Sequence, residues 1–156
     1  MPVQVVTQDT TTSEPRVRRR DGRDPVAGLL GDFSIADLAR LRAVARERRL
    51  EPGDCLYDQG SVAIASFLVT EGEGQVLVRG TPVAEVATGA MIGDVDVLGR
   101  RPYRATVVAA TPMTVWRIDA GDLDRLLLEA PTFARALARD LSHRLRAVES
   151  SINRGR

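Results

Sequence analysis

Two short stretches in the middle of the chain carry residue types that hold a phosphate. Residues 93–96 are Gly-Asp-Val-Asp, and residues 99–109 are GRRPYRATVVA. Proteins bind a phosphate with backbone N–H groups at the start of a helix and with a guanidinium that pairs with its charge. Gly93 would let the backbone approach such a ligand closely, and a short turn from Asp94 would present the N–H groups. Three arginines compete to supply the guanidinium: Arg100, Arg101 and Arg104.

The composition is that of one small folded domain. The chain has 156 residues, of which 44% are hydrophobic and 28% are charged, as in a soluble protein with a single packed core. The net charge of +1 favours neither nucleic acid nor an acidic membrane surface as a partner. No apolar run is long enough to span a membrane, and the N-terminal residues do not resemble a secretory signal. Cys55 is the only cysteine, which excludes an internal disulfide and predicts a reduced, cytoplasmic location.

The chain divides into a polar tail and a folded domain. Residues 1–24 are rich in Thr, Ser, Asp and Arg and lack apolar periodicity, so they are predicted to be a disordered tail. Residues 25–156 form the predicted domain, which begins with a helical pattern over residues 25–50. Ser34 and Asp37 have the spacing of a capping box, with a hydroxyl at the cap and an acid three residues later. An apolar stripe follows along one face of this helix, at three-residue steps: Ile35, Leu38, Leu41 and Val44.

The pattern changes to short strands after this helix. Between residues 55 and 118, short runs of Val, Ile, Leu, Phe and Thr alternate with glycines, which indicates six to eight strands. Residues 66–78 contain two such runs around a Gly-rich turn, so a hairpin is predicted there. Further strands are predicted over residues 82–89 and 105–118. Many short strands with turns at close intervals favour an antiparallel roll or barrel.

Two helices are predicted to follow the strands. Asp119 is the expected N-cap of the first helix, and Pro131 opens the second at a position where its missing N–H costs nothing. Four apolar residues of the second helix alternate spacings of four and three, as in a short coiled-coil seam. This seam either packs on the protein's own strands or pairs with a second copy of the chain, and the sequence favours neither. The seam consists of Leu141, Leu145, Val148 and Ile152.

The order of these elements and four stretches of sequence resemble the cyclic nucleotide-binding domain family. The stretches, within residues 28–150, are LEPGDCLYDQGSVA, FLVTEGEGQVLV, MIGDVDVLGRRPYRATVVA and VWRIDAGDLDRLLLEAPTFARALA. The resemblance implies an α+β, mainly β fold: an antiparallel β-roll, or double-stranded jelly roll, flanked by N-terminal helices and two C-terminal helices. It also implies a regulatory domain without enzymatic activity. The implied ligand is a cyclic nucleotide, cAMP or cGMP, or a related phosphate compound.

The stretch that resembles the family's phosphate-binding cassette departs from the family pattern in both halves. Family members carry Gly-Glu-hydrophobic-small and then, about ten residues later, Arg before a small residue and Ala-x-Val-x-Ala. Counting back from the run that begins at Ala105 places Tyr103 at the arginine position and Arg104 at the small-residue position. Asp94 is one methylene shorter than Glu and reaches less far toward a ribose hydroxyl, and Asp96 adds a negative charge that opposes an anion. The ligand-binding residues implied by the resemblance are Gly93, Asp94, Val95, Tyr103, Arg104 and Ala105.

Two functions are compatible with these features. In the first, a phosphate-bearing ligand lies between residues 93–95 and Arg104, and the response passes to the C-terminal helix, which changes its packing or its dimer partner. In the second, the domain has lost its ligand and serves as a scaffold, either for a homodimer through the C-terminal helix or for an unidentified protein partner.

Other chemistries are not expected. His143 is the only histidine and has no serine, cysteine or acid beside it in a catalytic motif, so no enzyme is predicted. Asp94 and Asp96 alone are too few ligands for a metal ion, so no metal site is predicted. The chain ends at Arg156, shortly after the last predicted helix, so no DNA-reading domain is expected within it.

Overall fold

A computed structural model of the chain describes residues 34–155. The tail predicted at residues 1–24, and the part of the predicted first helix before residue 34, lie outside the described residues. The helices of the described part are α1 Ile35–Val44, α2 Asp94–Gly99, α3 Ala120–Glu129 and α4 Pro131–Arg154. Its strands are β1 Arg46–Leu50, β2 Cys55–Tyr57, β3 Ala65–Glu71, β4 Glu73–Val78, β5 Thr81–Ala87, β6 Met91–Ile92, β7 Thr106–Ala109 and β8 Met113–Asp119.

The strands form two antiparallel sheets of four strands each. The strand order is β1-β8-β3-β6 in the first sheet and β2-β7-β4-β5 in the second. Helix α1 precedes the sheets, α2 follows β6, and α3 and α4 follow β8. This arrangement confirms the predicted antiparallel β-roll with flanking helices. Between residues 34 and 155, no helix has the length and apolar character that crossing a membrane requires.

The prediction that the first helix continues to Leu50 is wrong. Helix α1 ends at Val44, and Ala45 has extended backbone angles, with φ −71° and ψ 142°. Residues 46–50 form strand β1, which pairs with β8 along its whole length, from Arg46 opposite Arg117 to Leu50 opposite Met113. Arginine and glutamate are good helix formers, but intrinsic helix propensity is a small term, and the hydrogen bonds offered by the edge of β8 outweigh it.

The predicted hairpin at residues 66–78 is also wrong, because its two strands belong to different sheets. Strand β3 lies in the first sheet and β4 in the second, so Gly72 forms a corner between the sheets. Its φ is +85°, and a Cβ at this position would lie 2.1 Å from the carbonyl oxygen of Pro112. The true hairpin joins β4 to β5 through Arg79 and Gly80, which both have positive φ as a two-residue hairpin turn requires.

An apolar cluster packs on each face of the first sheet, whose edge strand β1 stays mostly exposed. Along β3, Leu68 faces the helices, while its neighbours Phe67 and Val69 face the second sheet. The cluster under the helices consists of Leu41, Leu68, Met91, Val97, Ile118, Leu123, Leu126, Ala130, Phe133, Ala136 and Leu137. The cluster between the sheets consists of Leu50, Leu56, Ala65, Phe67, Val69, Ile92, Val107, Ala109, Met113 and Val115.

The predicted capping box at Ser34 and Asp37 forms in part and also fixes helix α4. The Asp37 N–H donates to Ser34 Oγ over 3.1 Å, as predicted for the cap of α1. The Asp37 carboxylate accepts from the N–H of Thr132 at 2.9 Å and from its hydroxyl, so it caps the start of α4. The Thr132 hydroxyl holds the pKa of Asp37 below its usual value; burial opposes this shift, and Arg40 adds to it.

Two other details of the predicted helices differ from expectation. Ile35, which begins the predicted apolar stripe of α1, is 89% exposed, whereas Leu41 on the same stripe is fully buried. Asp119 occupies the N-cap position of α3 but makes no capping hydrogen bond with its side chain. Its carboxylate pairs with Nε of Arg117 at 2.8 Å, so a neighbouring charge on β8 takes the place of the helix N–H groups. Pro131 opens α4 as predicted.

Candidate functional site

A cavity of about 330 Å³ lies where the second sheet, helix α2 and helix α4 meet. Its wall includes five of the six residues proposed from the sequence, and Tyr103 is the exception. The apolar part of the wall is formed by Tyr57, Val76, Val78, Met91, Ile92, Val95 and Ala105. The remaining wall residues are Gly93, Asp94, Asp96, Arg104 and Arg144.

Gly93 starts the turn that carries the two aspartates into this wall. It is the N-cap of α2 with φ +75°, a conformation that costs a residue with a side chain about 1–2 kcal/mol. A Cβ at this position would lie 3.1 Å from Cε1 of Tyr103 and 3.3 Å from the carbonyl oxygen of Ala65. The backbone of the turn therefore packs closely on the core, and both the positive φ and the tight spacing favour glycine.

Tyr103 lies in the core and does not line the cavity, and its predicted contact with a ligand stays a prediction. It is 4% exposed, and its hydroxyl donates to the Ala65 carbonyl over 2.5 Å and accepts from the Ala65 N–H over 3.3 Å. Its ring stacks on Tyr57 with centroids 4.0 Å apart. Burial raises the pKa of Tyr103, so the phenol stays neutral. Tyr103 supports the floor of the site.

Arg104 faces the cavity and is held by Asp96. Its Nε lies 2.9 Å from Asp96 Oδ1, and its backbone N–H donates to Asp96 Oδ2 over 3.3 Å. The guanidinium side chain is 69% exposed, whereas the Asp96 side chain is 8% exposed. The sequence suggested that Asp96 would repel an anion. In the structure the carboxylate is turned inward and positions the arginine, so the exposed part of the pair is the cation.

The buried Asp94 carboxylate forms an ion pair with the half-buried Arg144 of helix α4. Nη1 of Arg144 donates to Oδ1 of Asp94 over 3.2 Å, and Nη2 donates to Oδ2 over 2.5 Å. The Asp94 side chain is 1% exposed and that of Arg144 is 39% exposed. Nη2 also lies 2.9 Å from Oδ2 of Asp140, one turn earlier in α4. Burial by itself would lower the pKa of Arg144, but Asp94 and Asp140 outweigh it and raise the pKa.

The sequence reasoning missed Arg144, although the helix pattern contains a clue. Phe133 and Leu137 are buried on α4, and Leu141 packs against the same cluster. These residues follow four-residue steps, and Arg144 comes three residues after the last of them. The inward stripe of the helix therefore continues to Arg144. A charged residue on an inward stripe needs a buried partner, which is Asp94.

Two further residues considered from the sequence lie away from this site's chemistry. His143 is exposed on α4. Cys55 is buried at the start of β2, and burial together with Asp58 raises the pKa of its thiol to about 12, so the reactive thiolate is suppressed. Among residues 34–155, no three His, Cys, Asp or Glu side chains are grouped closely enough to hold a metal ion.

Comparison with known proteins identifies the family of this fold. The profile of the cyclic nucleotide-binding domain matches residues 47–130, more than half of the chain. The chain belongs to the cyclic nucleotide-binding domain family. The matched segment contains all strands except the first residue of β1, together with α2 and α3, and therefore every wall residue of the cavity except Arg144.

The relatives place similar domains in proteins of several kinds. The acetyltransferase Pat of Mycolicibacterium smegmatis is 34% identical over 119 residues, which cover 74% of this chain and 35% of that protein. A cAMP-dependent protein kinase regulatory subunit of Yarrowia lipolytica is 30% identical over 101 residues, which cover 64% of this chain and 27% of that protein. A crystal structure of a cyclic nucleotide-binding domain from Methylobacillus flagellatus superposes with a TM-score of 0.72 at 21% identity, over 85% of this chain and 83% of that one. This chain spans about a third or less of the length of the two curated relatives.

Proposed function

We propose that this chain is a regulatory domain without enzymatic activity that senses a cyclic nucleotide, cAMP or cGMP, in the cavity between α2, the second sheet and α4. The observation that supports this most strongly is the exposed Arg104 guanidinium beside the Gly93 turn, in a cavity of about 330 Å³. That volume is within the range of about 300–1,000 Å³ of small-molecule sites. Family membership supports the same ligand class.

Arg104 is the residue that would pair with the cyclic phosphate. Its Nε is engaged by Asp96, and the terminal amino groups of a guanidinium can donate to a second acceptor at the same time. The apolar side of the cavity, including Val76, Met91 and Ile92, offers contact area for a base. Helix α4 reaches the cavity through Arg144, so a ligand that changes this contact would shift the packing of the helix.

Titration calorimetry and thermal-shift measurements with cAMP, cGMP and cyclic dinucleotides test this proposal. A ligand present at one hundred times its Kd stabilises the folded state by about 2.7 kcal/mol. Arg104→Ala should weaken binding by about 10- to 100-fold, because a hydrogen-bonded charge is lost. Arg101→Ala is the matched control, since Arg101 is exposed in the same loop and does not line the cavity. Absence of stabilisation by every nucleotide would reject the sensor function, and equal affinity of Arg104→Ala and wild type would reject the role of Arg104.

A second candidate function, a scaffold without a nucleotide, is favoured by the same two ion pairs. Arg104 and Arg144 already have aspartate partners, so an incoming phosphate must share or displace a carboxylate. On α4, Leu141 packs on the core, but the rest of the predicted seam is more than half exposed: Leu145 59%, Val148 57% and Ile152 58%. A homodimer through this surface would bury it. A monomer in sedimentation velocity at high protein concentration would argue against the homodimer.

A further inference from the structure

The wall of the cavity formed by Asp94 and Arg144 exposes the cation of the pair and hides the anion. Both carboxylate oxygens of Asp94 accept from Arg144, and the Asp94 side chain is 1% exposed. Arg144 is 39% exposed and lines the cavity. A ligand in this cavity therefore meets a guanidinium, with the carboxylate behind it.

The same arrangement decides which ligand groups the wall can bind. A sugar hydroxyl could use Asp94 only by displacing a two-pronged, charge-assisted contact, which is about twice as strong per hydrogen bond as a neutral one. Asp140 adds a second carboxylate next to the same nitrogen, with its Oδ2 2.9 Å from Nη2 of Arg144. Displacement by a neutral hydroxyl is therefore unfavourable.

Arg144 also keeps a donor that is not used within the protein. Its Nε is buried and has no hydrogen-bond partner among residues 34–155. An unpaired buried donor costs free energy, and because Nε is buried, a ligand could pair with it only after the Arg144 side chain shifted. The exposed part of the Arg144 guanidinium, beside the buried Asp94, favours an acceptor such as a phosphate oxygen over a hydroxyl that must donate to a carboxylate.

On this basis, and resting on the cyclic-nucleotide function proposed above, we propose that Arg144 is a specificity-determining residue of the cavity. It sequesters Asp94 in an ion pair, so the site does not recognise the ribose 2′-hydroxyl. Recognition then depends on the phosphate and the apolar base of the ligand. The Asp94 carboxylate, paired with Arg144, holds helix α4 in place.

Competition between cAMP and 2′-deoxy-cAMP for the full chain tests this assignment. Wild type should bind the two nucleotides with Kd values that agree within about threefold, because neither ligand contacts Asp94. In Arg144→Gln the carboxylate is released, and cAMP should bind at least about tenfold more tightly than its 2′-deoxy analogue, as expected for a hydrogen bond to a charged group. Arg146→Gln is the matched control, since Arg146 is exposed two residues further along α4, and it should keep the wild-type ratio.

Each alternative result is decisive. A wild-type preference for cAMP of tenfold or more would overturn the assignment, because Asp94 would then already be in use. If wild type binds neither nucleotide, the cyclic-nucleotide function proposed for the wild-type chain is rejected. Binding of the two nucleotides to Arg144→Gln then decides the role of Arg144. If Arg144→Gln gains binding and prefers cAMP over 2′-deoxy-cAMP, the result supports sequestration of Asp94 by Arg144. If Arg144→Gln gains no binding, the assignment is overturned.

A conservative variant guards against loss of folding in Arg144→Gln. Arg144→Lys keeps a positive charge near Asp94 but gives up the two-pronged contact. Its preference for cAMP should fall between those of wild type and Arg144→Gln. A thermal unfolding curve for each variant, recorded without nucleotide, establishes that the folded protein is being compared. A folded Arg144→Lys with the wild-type ratio, together with an unfolded Arg144→Gln, would overturn the assignment.

Discussion

Replacing Tyr103 by phenylalanine separates a structural role of this side chain from a ligand-binding role. The register of the cassette places Tyr103 where the family has its phosphate arginine, whereas the structure buries its hydroxyl against Ala65. Tyr103→Phe removes that hydroxyl and keeps the ring, so the stacking on Tyr57 at 4.0 Å is preserved. We expect the variant to lose stability and to keep the ligand affinity of the wild type.

The size of the loss follows from the two hydrogen bonds at Ala65. Ala65 is fully buried, so its N–H and carbonyl cannot exchange the lost hydroxyl for bulk water. Leaving buried backbone groups unpaired costs about 1–3 kcal/mol. In a chain of this length each kcal/mol changes Tm by about 2–4 °C, so Tyr103→Phe should melt about 2–12 °C below wild type.

Urea unfolding followed by circular dichroism measures the loss, and calorimetry with the nucleotide that binds best measures affinity. Tyr57→Phe is the matched control for stability, because this ring belongs to the same stack while no hydrogen bond of its hydroxyl occurs within the described part of the chain. The control should change stability by no more than about 0.5 kcal/mol. An unchanged stability of Tyr103→Phe combined with weakened binding would show that Tyr103 contacts the ligand and that the core assignment is wrong.

Two further predictions concern the corner between the sheets and the junction of α1 with α4. Gly72→Ala should lower the free energy of unfolding by about 2–5 kcal/mol, because backbone strain adds to a steric clash. Gly80→Ala is the control: its Cβ would meet open space, so the variant should lose only about 1–2 kcal/mol from backbone strain. Equal losses of the two variants in urea unfolding would contradict this geometry. The pKa of Asp37 is lowered in the folded state, so its stabilising effect is complete above about pH 4 and is lost as the pH falls below that value. Asp37→Asn should therefore show a smaller decrease of Tm between neutral and acidic pH than wild type, and parallel profiles would refute the contribution of Asp37.

Local sequence patterns were sufficient for the elements that carry the fold. The glycines and short apolar runs between residues 55 and 118 predicted the strands, and Pro131 marked the start of α4. These features depend on backbone conformations that are determined by residues close together in the sequence. The succession of helix, roll and helices was therefore predictable, and with it the resemblance to the family.

Pairing between distant segments decided the features that the sequence patterns misplaced. Residues 46–50 became a strand because the edge of β8 was available, and Gly72 became a corner because β3 and β4 joined different sheets. Neither outcome is contained in the residues of the segment itself. The hydrogen bonds that decide it come from strands about thirty residues or more away in sequence.

The candidate site shows the same division at the level of single side chains. The sequence by itself located Gly93, Asp94 and Arg104 and showed that the usual arginine position holds Tyr103. Only the tertiary structure turned Tyr103 into the core and brought Arg144 across fifty residues of sequence onto Asp94. The spacing of residues in the sequence determines which residues the cassette contains. The direction of the Asp94 side chain depends on the partner that compensates the burial of its charge, and the packing of α4 supplies that partner, Arg144.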